Sequence, residues 1–408
     1  MTRPSPLARP FPSIPPVAGV RLGTARAGFK AWARDDLWLA EFAPGTAVAG
    51  LFTRSRCPSP EVESCRARLP GGRARALVVN AGNANAFTGA AGRAAHEAQV
   101  AEVARRLGCE AHEVFAASTG VIGVPLPAER AIEGVRAAAA RLGEAGFHDA
   151  ARAMMTTDTF PKGAVREVVV GQGRVRLAGI AKGSGMIAPD MATLLAFLFT
   201  DAAVAPAFLQ ELLQRAYATS FACITVDGDT STSDTLLAFA TGASGLPALG
   251  GWADPGADAL AFALVDLSRE LALMVVRDGE GARKLVEVRV TGAVSDASAR
   301  RIAFTIANSP LVKTAVAGGD ANWGRVVAAV GRAGEPADRD RLTIRFGGVT
   351  VARDGAVVPG YDEAPVARHL AGEEVLIEVD LGLGDGRALV WTCDLTEEYV
   401  RINADYRS

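Results

Sequence analysis

KGSGMIAPDMATLLAFLFTDA, residues Lys182 to Ala202, is the stretch whose reading decides the rest. A Gly/Ser turn runs through Pro189 and Asp190, and the chain then becomes almost wholly apolar with one hydroxyl, Thr193, at the head of the run. A buried threonine in such a setting is most often structural, its hydroxyl bonded to a backbone carbonyl. It becomes a nucleophile only when a base takes its proton. One solution places the threonine at a chain terminus, where its own α-amine, with a pKa of about 7.7 to 8.0, is partly neutral at physiological pH. Internal Thr193 has no such amine, so a nucleophilic role requires the Ala192–Thr193 bond to break first.

Outward from this stretch, the composition is that of a soluble globular protein. The 408 residues suggest two or three domains, or one large interlocked body, on a prior of roughly 150 residues per domain. Hydrophobic residues at 49% and charged residues at 22% argue against disorder. The 43 basic and 45 acidic residues nearly cancel, without a long run of either sign, which argues against a nucleic-acid partner. Five cysteines lack CxxC spacing and four histidines lack HxxxH or HExxH spacing, so the cysteines read as reduced thiols of a cytoplasmic protein and no metal site is expected. The opening MTRPSPLARPFPSIPP reads as a frayed or extended lead-in and not a secretory signal. No apolar run reaches the roughly 18 residues of a membrane span.

Along the chain, DDLWLAEF, Ala76 to Val79 and Val114 to Ser118 read as strands. Arg93 to Gly108 reads as a helix with a glycine C-cap, and Leu126 to Gly143 as a helix burying Ile132, Val135, Ala139 and Leu142. Arg166 to Ile180 is a hairpin around Gly-Gln-Gly. In the second half, PAFLQELLQRAYATSF, GADALAFALVDLSRELALMVV and SDASARRIAFTIANSPLVKTAV read as helices; KLVEVRVTG, RLTIRFGGVTV and EVLIEVDLGLGDGRALVWTCDL read as strands, the last with an Asp385-Gly386 hairpin turn. Strands and helices cluster instead of alternating, which favours an α+β arrangement.

Several loops could carry chemistry. VNAGNANAFTG lacks GxGxxG spacing and reads either as a turn using left-handed asparagines or as a ligand-approach loop at a strand end. In FAASTGVIG, Ser118, Thr119 and Gly120 directly follow a strand and read either as turn formers or as a hydroxyl beside a glycine that could offer a hydroxyl and a backbone N–H to a developing oxyanion. MMTTDTFPK and ITVDGDTSTSDT are hydroxyl-rich and read as solvated turns or caps; the second lacks EF-hand spacing. In RDGEGARKL, glycines on both sides of Glu280 indicate either an exposed tight turn or a carboxylate held against something bulky.

Taken in order, KGSGMIAPDMATLLAFLFTDA, VNAGNANAFTG, ASTGVIG, MTTDTFPK, SFACITVDGDTSTSDT, DGEGA, SPLVKTAVAGGDANWGR and NADYRS make the chain resemble the ornithine acetyltransferase family, the bifunctional glutamate N-acetyltransferases of arginine biosynthesis, from about Gly19 to Ser408. The resemblance implies a precursor that cuts itself between Ala192 and Thr193 into an α chain, residues 1–192, and a β chain, residues 193–408. Two of each would assemble. It implies transfer of acetyl from N-acetylornithine to glutamate by a ping-pong route, with Thr193 as nucleophile and Thr119 and Gly120 as oxyanion-hole pair. Thr159, with Thr157 as the alternative, Lys182, Glu280, Asn403 and Ser408 fall on substrate-binding positions. No cofactor is implied, although acetyl-CoA is a donor substrate in some members. The implied fold is a layered αββα sandwich like that of N-terminal-nucleophile hydrolases but with different connectivity, with Thr193 at the head of a central strand.

The sequence departs from the family's usual pattern at Ala222 and Cys223, at Ala188 and Asp190, and at Phe87. These touch donor preference or cleavage rate more than the reaction. A related self-cleaving aminopeptidase or amidase, sending the acyl group to water, is the alternative activity.

Overall fold

The computed structural model describes residues 4–188 and 194–404, in two compact units. Among the described residues, the larger unit comprises Pro10–Ala222 and Asp229–Val275; the smaller gathers residues 4–9, Cys223–Gly228 and residues 276–404.

In the larger unit, β1 (Val20–Ala25), β2 (Leu37–Phe42), β4 (Ala76–Asn83) and β5 (Val114–Val121) form one sheet in the order β1-β2-β4-β5. A second sheet runs β3-β9-β8-β7-β6, from β3 (Ala47–Phe52), β9 (Thr235–Ala240), β8 (Leu195–Thr200), β7 (Gly173–Lys182) and β6 (Lys162–Val170). The sheets stack through aromatic side chains. Trp38 meets Phe197 edge-on with ring centroids 5.3 Å apart, and Phe42 stacks on Phe239 at 4.3 Å. Such rings bury large apolar area in one layer, which locks the two sheets face to face.

The helices α1 (Pro60–Arg68), α2 (Gly89–Leu107), α3 (Ala128–Ala140) and α4 (Phe147–Ala153) accompany the first sheet. On its outer face, Val100 and Val103 of α2 and Val135 and Ala138 of α3 join Leu37, Leu39 and Val78 in one core. Across the second sheet, leucines of α5 (Pro206–Ala218) and α6 (Ala257–Arg277) face Leu177 and Leu198. Gly179 admits them: a Cβ there would lie 2.7 Å from the methyls of Leu267 and Leu271. The layer order is therefore helices, sheet, sheet, helices: an α+β αββα sandwich. β8 is the middle strand of its sheet, and it pairs antiparallel with β7 from Lys182↔Leu195 to Leu177↔Thr200. Strands on either side of residues 192 and 193 are thus hydrogen-bonded neighbours, and a break between those residues leaves this ladder intact.

The smaller unit is a six-stranded sheet in the order β13-β12-β11-β14-β10-β15. Its strands are β10 (Leu285–Ala293), β11 (Thr343–Phe346), β12 (Val349–Arg353), β13 (Ala356–Val357), β14 (Glu374–Asp380) and β15 (Gly386–Cys393). Alternate residues Val286, Val288 and Val290 turn to a core shared with α7 (Asp296–Ala307), α8 (Pro310–Ala317), α9 (Trp323–Gly331) and α10 (Glu363–Leu370). A last helix, α11 (Glu397–Ala404), follows β15. No helix among the described residues is long and apolar enough to cross a membrane.

Four expectations need correction. β14 and β15 are not a hairpin, because β10 lies between them, parallel to β14 and antiparallel to β15. Gly386 serves close crossing instead of a turn, since a Cβ there would sit 2.3 Å from the Ser295 carbonyl carbon. The proline-rich lead-in is docked: Leu7 is fully buried, and Phe11 and Ile14 pack against the inter-sheet core. β5 continues through Thr119 and Gly120, because its parallel pairing with β4 extends beyond Ser118. Finally, α3 buries Ala131, Gly134, Val135 and Ala138, with Ile132, Ala139 and Leu142 only partly covered. The small side chains win that face because the helix lies too close to the sheet for large ones. A Cβ on Gly134 would come within 2.7 Å of the Ala27 Cβ and 3.0 Å of Leu37 Cδ1.

Gly134→Val should therefore destabilise the chain by about 2 kcal/mol through overpacking, seen as a lower urea midpoint at unchanged slope.

Candidate active site

Parallel pairing of β4 with β5 places Ser118 opposite Asn80 and Gly120 opposite Gly82, and the ladder breaks at Gly82/Asn83. Both glycines have positive φ, 98° and 134°. A Cβ on Gly120 would lie 2.3 Å from the Gly82 carbonyl carbon, so only glycine fits. Thr119, just before it, is buried, and its Oγ1 accepts a hydrogen bond from Lys182 Nζ at 3.2 Å. Lys182 is the last residue of β7, so this bond joins the ends of the two stacked sheets. With the ammonium on the oxygen, the Thr119 O–H proton remains available to donate to another oxygen.

Behind Lys182 lies Asp158, whose side chain is wholly buried. Its Oδ1 accepts from Lys162 Nζ and from the Gly183 N–H, both at 2.7 Å; its Oδ2 accepts from the Thr156 N–H at 3.0 Å and stands 3.9 Å from Lys182 Nζ. Burial by itself pushes this carboxyl up, but the Lys162 and Lys182 charges and the N–H donors outweigh it and hold it well below the usual carboxylate range. Asp158 thus stands between two lysines, one of which, Lys182, reaches Thr119, and a lysine ammonium there is suited to an incoming carboxylate or an oxyanion. Thr157 and Thr159 flank Asp158, both half-buried.

The asparagines of VNAGNANAFTG do more than tolerate left-handed backbone, although Asn85 does take φ 51°. Ser118 Oγ donates to Asn80 Oδ1 at 2.7 Å, Asn80 Nδ2 to the Asn83 carbonyl at 2.9 Å, and the Asn85 N–H to Asn83 Oδ1 at 2.7 Å. Asn85 Nδ2 then donates to Glu61 Oε1 at 2.8 Å, with His96 Nδ1 3.7 Å from the same oxygen. This buried chain braces the strand end that carries Thr119 and Gly120. Burial raises the Glu61 carboxyl to about 7, opposed by the Asn85 hydrogen bond. Burial, aided by the Arg68 charge, lowers the His96 imidazole to about 4.

Ala192, Thr193 and Ser408 lie outside the described residues. Their described neighbour Leu194 donates its N–H to Asp234 Oδ1 at 2.9 Å. Upstream, Met186 adopts φ 57°, a left-handed conformation unusual for a residue with a Cβ.

In the smaller unit, Glu280 is buried and its Oε2 accepts from Asn403 Nδ2 at 2.7 Å. Of the two expectations for its flanking glycines, the held carboxylate is what is seen. A Cβ on Gly279 would come 2.8 Å from Cys393 Sγ, and one on Gly281 would come 2.7 Å from the Tyr399 nitrogen. Lys313, of the SPLVK block, is buried and donates to the Val226 carbonyl at 2.8 Å and to Thr392 Oγ1 at 2.9 Å, a structural staple.

Thr119, Gly120, Lys182 and the Thr157/Thr159 loop are therefore brought together in the larger unit, and Glu280 with Asn403 in the smaller. The sequence reading missed Asp158 and Asp234, having taken their loops for solvated turns; both are buried, Asp158 because backbone N–H groups and lysines converge on it, and Asp234 with the Leu194 N–H on its Oδ1. The available signal was Lys162 four residues after Asp158. Among the described residues, no three His, Cys, Asp or Glu side chains gather as a metal would need.

The ArgJ family model matches residues 21–408. The arginine biosynthesis bifunctional protein ArgJ of Zymomonas mobilis is 59% identical over 405 residues, covering 99% of each chain. That of Gluconobacter oxydans is 58% identical over 404 residues, 99% of this chain and 95% of the other. Among solved structures, the ArgJ protein of Bacillus halodurans is 39% identical, spanning 50% of this chain and 96% of its own with a TM-score of 0.48.

The raised Glu61 carboxyl has a consequence for stability. Between its ordinary value near 4.5 and about 7, the folded chain keeps a proton that the unfolded chain has lost, so stability falls as pH rises through that window. The full loss is on the order of 3 kcal/mol. Glu61→Gln removes this dependence: its stability relative to the parent should rise from pH 5 to pH 8 by up to about that amount in urea titrations, and a pH-independent difference contradicts the assignment.

Proposed function

The chain belongs to the ArgJ family, and from that premise we propose that it transfers an acetyl group from N2-acetyl-L-ornithine to L-glutamate, in arginine biosynthesis, through an acetyl-threonine on Thr193. The observation that carries the reading is the Thr119–Lys182–Asp158 cluster at the sheet ends, in a chain that matches the family over nearly its whole length.

Maturation comes first. The Thr193 hydroxyl attacks the Ala192 carbonyl, the C–N bond opens to an ester with a free α-amine on Thr193, and water hydrolyses the ester to leave Ala192 as a carboxylate. The new amine then serves as base for the same hydroxyl. In transfer, the Thr193 oxygen attacks the acetyl carbonyl of acetylornithine, ornithine leaves as the amine, and the glutamate amine takes the acetyl from the ester. Each tetrahedral oxyanion is met by the Thr119 hydroxyl, polarised by Lys182, and by the Gly120 N–H. Lys182 also pairs with a substrate carboxylate, and Glu280, held by Asn403, with the side-chain amine of ornithine. Thr159 and Ser408 complete the substrate contacts. Acetyl-CoA is a second donor in this reading, no cofactor takes part, the working form is two α and two β chains, and the compartment is the cytoplasm.

Intact mass and N-terminal sequencing of the purified protein should find a β chain that begins at Thr193. Thr193→Ala should stay a single chain and lose at least about a thousandfold in turnover. An uncut, fully active protein rules this mechanism out. Added glutamate should speed acetylornithine consumption and itself be acetylated; consumption indifferent to glutamate points to a hydrolase instead. Glu280→Gln should raise the KM for acetylornithine by about tenfold, the loss of one charge-assisted contact, and an unchanged KM counts against its pairing with the amine.

A further inference from the structure

Arg34 lies just before β2, and its guanidinium serves four main-chain carbonyls. Nη1 donates to those of Asp35 and Arg152 at 3.0 Å and of Ala153 at 3.3 Å, and Nη2 donates to that of Met155. The group also lies over the Trp32 ring, 4.1 Å from its centroid. The Arg152 and Ala153 carbonyls are the last of α4, and capping them is ordinary for a basic side chain at a helix C-terminus. The Met155 carbonyl is different, because the helix has already ended at Ala153.

That carbonyl shares one planar peptide group with the Thr156 N–H. The Thr156 N–H donates to Asp158 Oδ2 at 3.0 Å; the same oxygen stands 3.9 Å from Lys182 Nζ, which donates to Thr119 Oγ1 at 3.2 Å. Arg34 and Asp158 therefore hold opposite ends of a single peptide. A cation on the carbonyl strengthens the N–H as a donor, because hydrogen bonds in series polarise one another. Turning that peptide would take the N–H away from Oδ2, and the Asp158 side chain is buried beyond the reach of replacement water. The two charges also sense each other: burial pulls the Arg34 guanidinium below its ordinary value, and Asp158 is the first group to oppose this.

We propose that Arg34 is a positioning residue for acetyl transfer: through the Met155–Thr156 peptide it orients the Asp158 carboxylate, and Asp158 in turn sets Lys182 against Thr119. The inference rests on the part given above to Thr119 and Lys182 in that reaction. Arginine suits the task because one planar fork spans carbonyls of the helix end and of the loop beyond it, whereas a lysine ammonium is a point charge.

The guanidinium borders a recess of about 220 Å³, whose lining residues Ala33, Asp149 and Arg152 are exposed, so a free guanidinium ion can enter where the side chain is removed. In the full-length protein, Arg34→Ala should lose about 30-fold in kcat per cleaved chain, and about 20 mM guanidinium chloride should restore at least about fivefold, which sodium chloride does not. With Asp158→Asn already present, Arg34→Ala should cost no more than about threefold, since the relay is then broken downstream. Hydrogen exchange at residues 155–160 should quicken in Arg34→Ala and slow again with guanidinium. A parental kcat in Arg34→Ala, a loss untouched by guanidinium, unchanged exchange at 155–160, or full additivity with Asp158→Asn overturns the assignment. If Arg34→Ala does not fold, Arg34→Lys decides: it keeps the charge without the fork, and a parental kcat refutes the proposal. A parent that transfers no acetyl group removes the premise, and the exchange measurement, which needs no turnover, tells that outcome apart from failure of the link between Arg34 and Asp158.

Discussion

A carboxylate sealed from water, Asp158, organises this molecule's chemistry. Burying it costs several kcal/mol unless cations and N–H donors surround it, and here Lys162, Lys182, Thr156 and Gly183 do so. Those partners come from the start of β6, the end of β7, the loop before β6 and the loop after β7. Satisfying one charge thus fixes four pieces of backbone at one end of the sandwich. Lys182 is in turn held where it reaches Thr119 across the gap between the sheets.

The second constraint is backbone proximity. Gly82 and Gly120 face each other in β4 and β5 so closely that no Cβ fits, and the asparagine chain from Asn80 to Asn85 satisfies the backbone and side-chain groups released where the ladder breaks. A strand end held this way cannot drift, which is what the proposed oxyanion role of Thr119 and Gly120 requires, since such a donor's value lies in being oriented before charge develops. The same economy recurs in the smaller unit, where Gly279 and Gly281 let the chain turn tightly enough for Glu280 to be buried against Asn403.

Much of the architecture was legible as pattern. The continuous apolar run at Ala76 to Val79 read as a buried strand, and Gly108 does terminate α2 in the left-handed conformation, with φ 62°. Local turn chemistry also located Gly171 between β6 and β7. The errors share a cause. Asp385-Gly386 has the composition of a hairpin turn, yet the strand inserted between β14 and β15 comes from about ninety residues earlier, and no local signal reports it. In α3, periodicity announced a buried face but not which of two adjacent stripes, because that depends on how near the sheet lies.

By itself the sequence determined the alternation of apolar runs and turns, the family pattern, and the threonine, glycine and lysine types that acyl transfer requires. Tertiary structure alone decided that Asp158 and Asp234 are buried and not solvated, and that Thr119 meets Lys182 from 63 residues away. The physical reason is that a hydrogen bond or a charge pair is worth little in water and much where water is excluded. Which polar residues are excluded from water depends on the packing of the whole chain around them, and a local stretch of sequence carries no record of that.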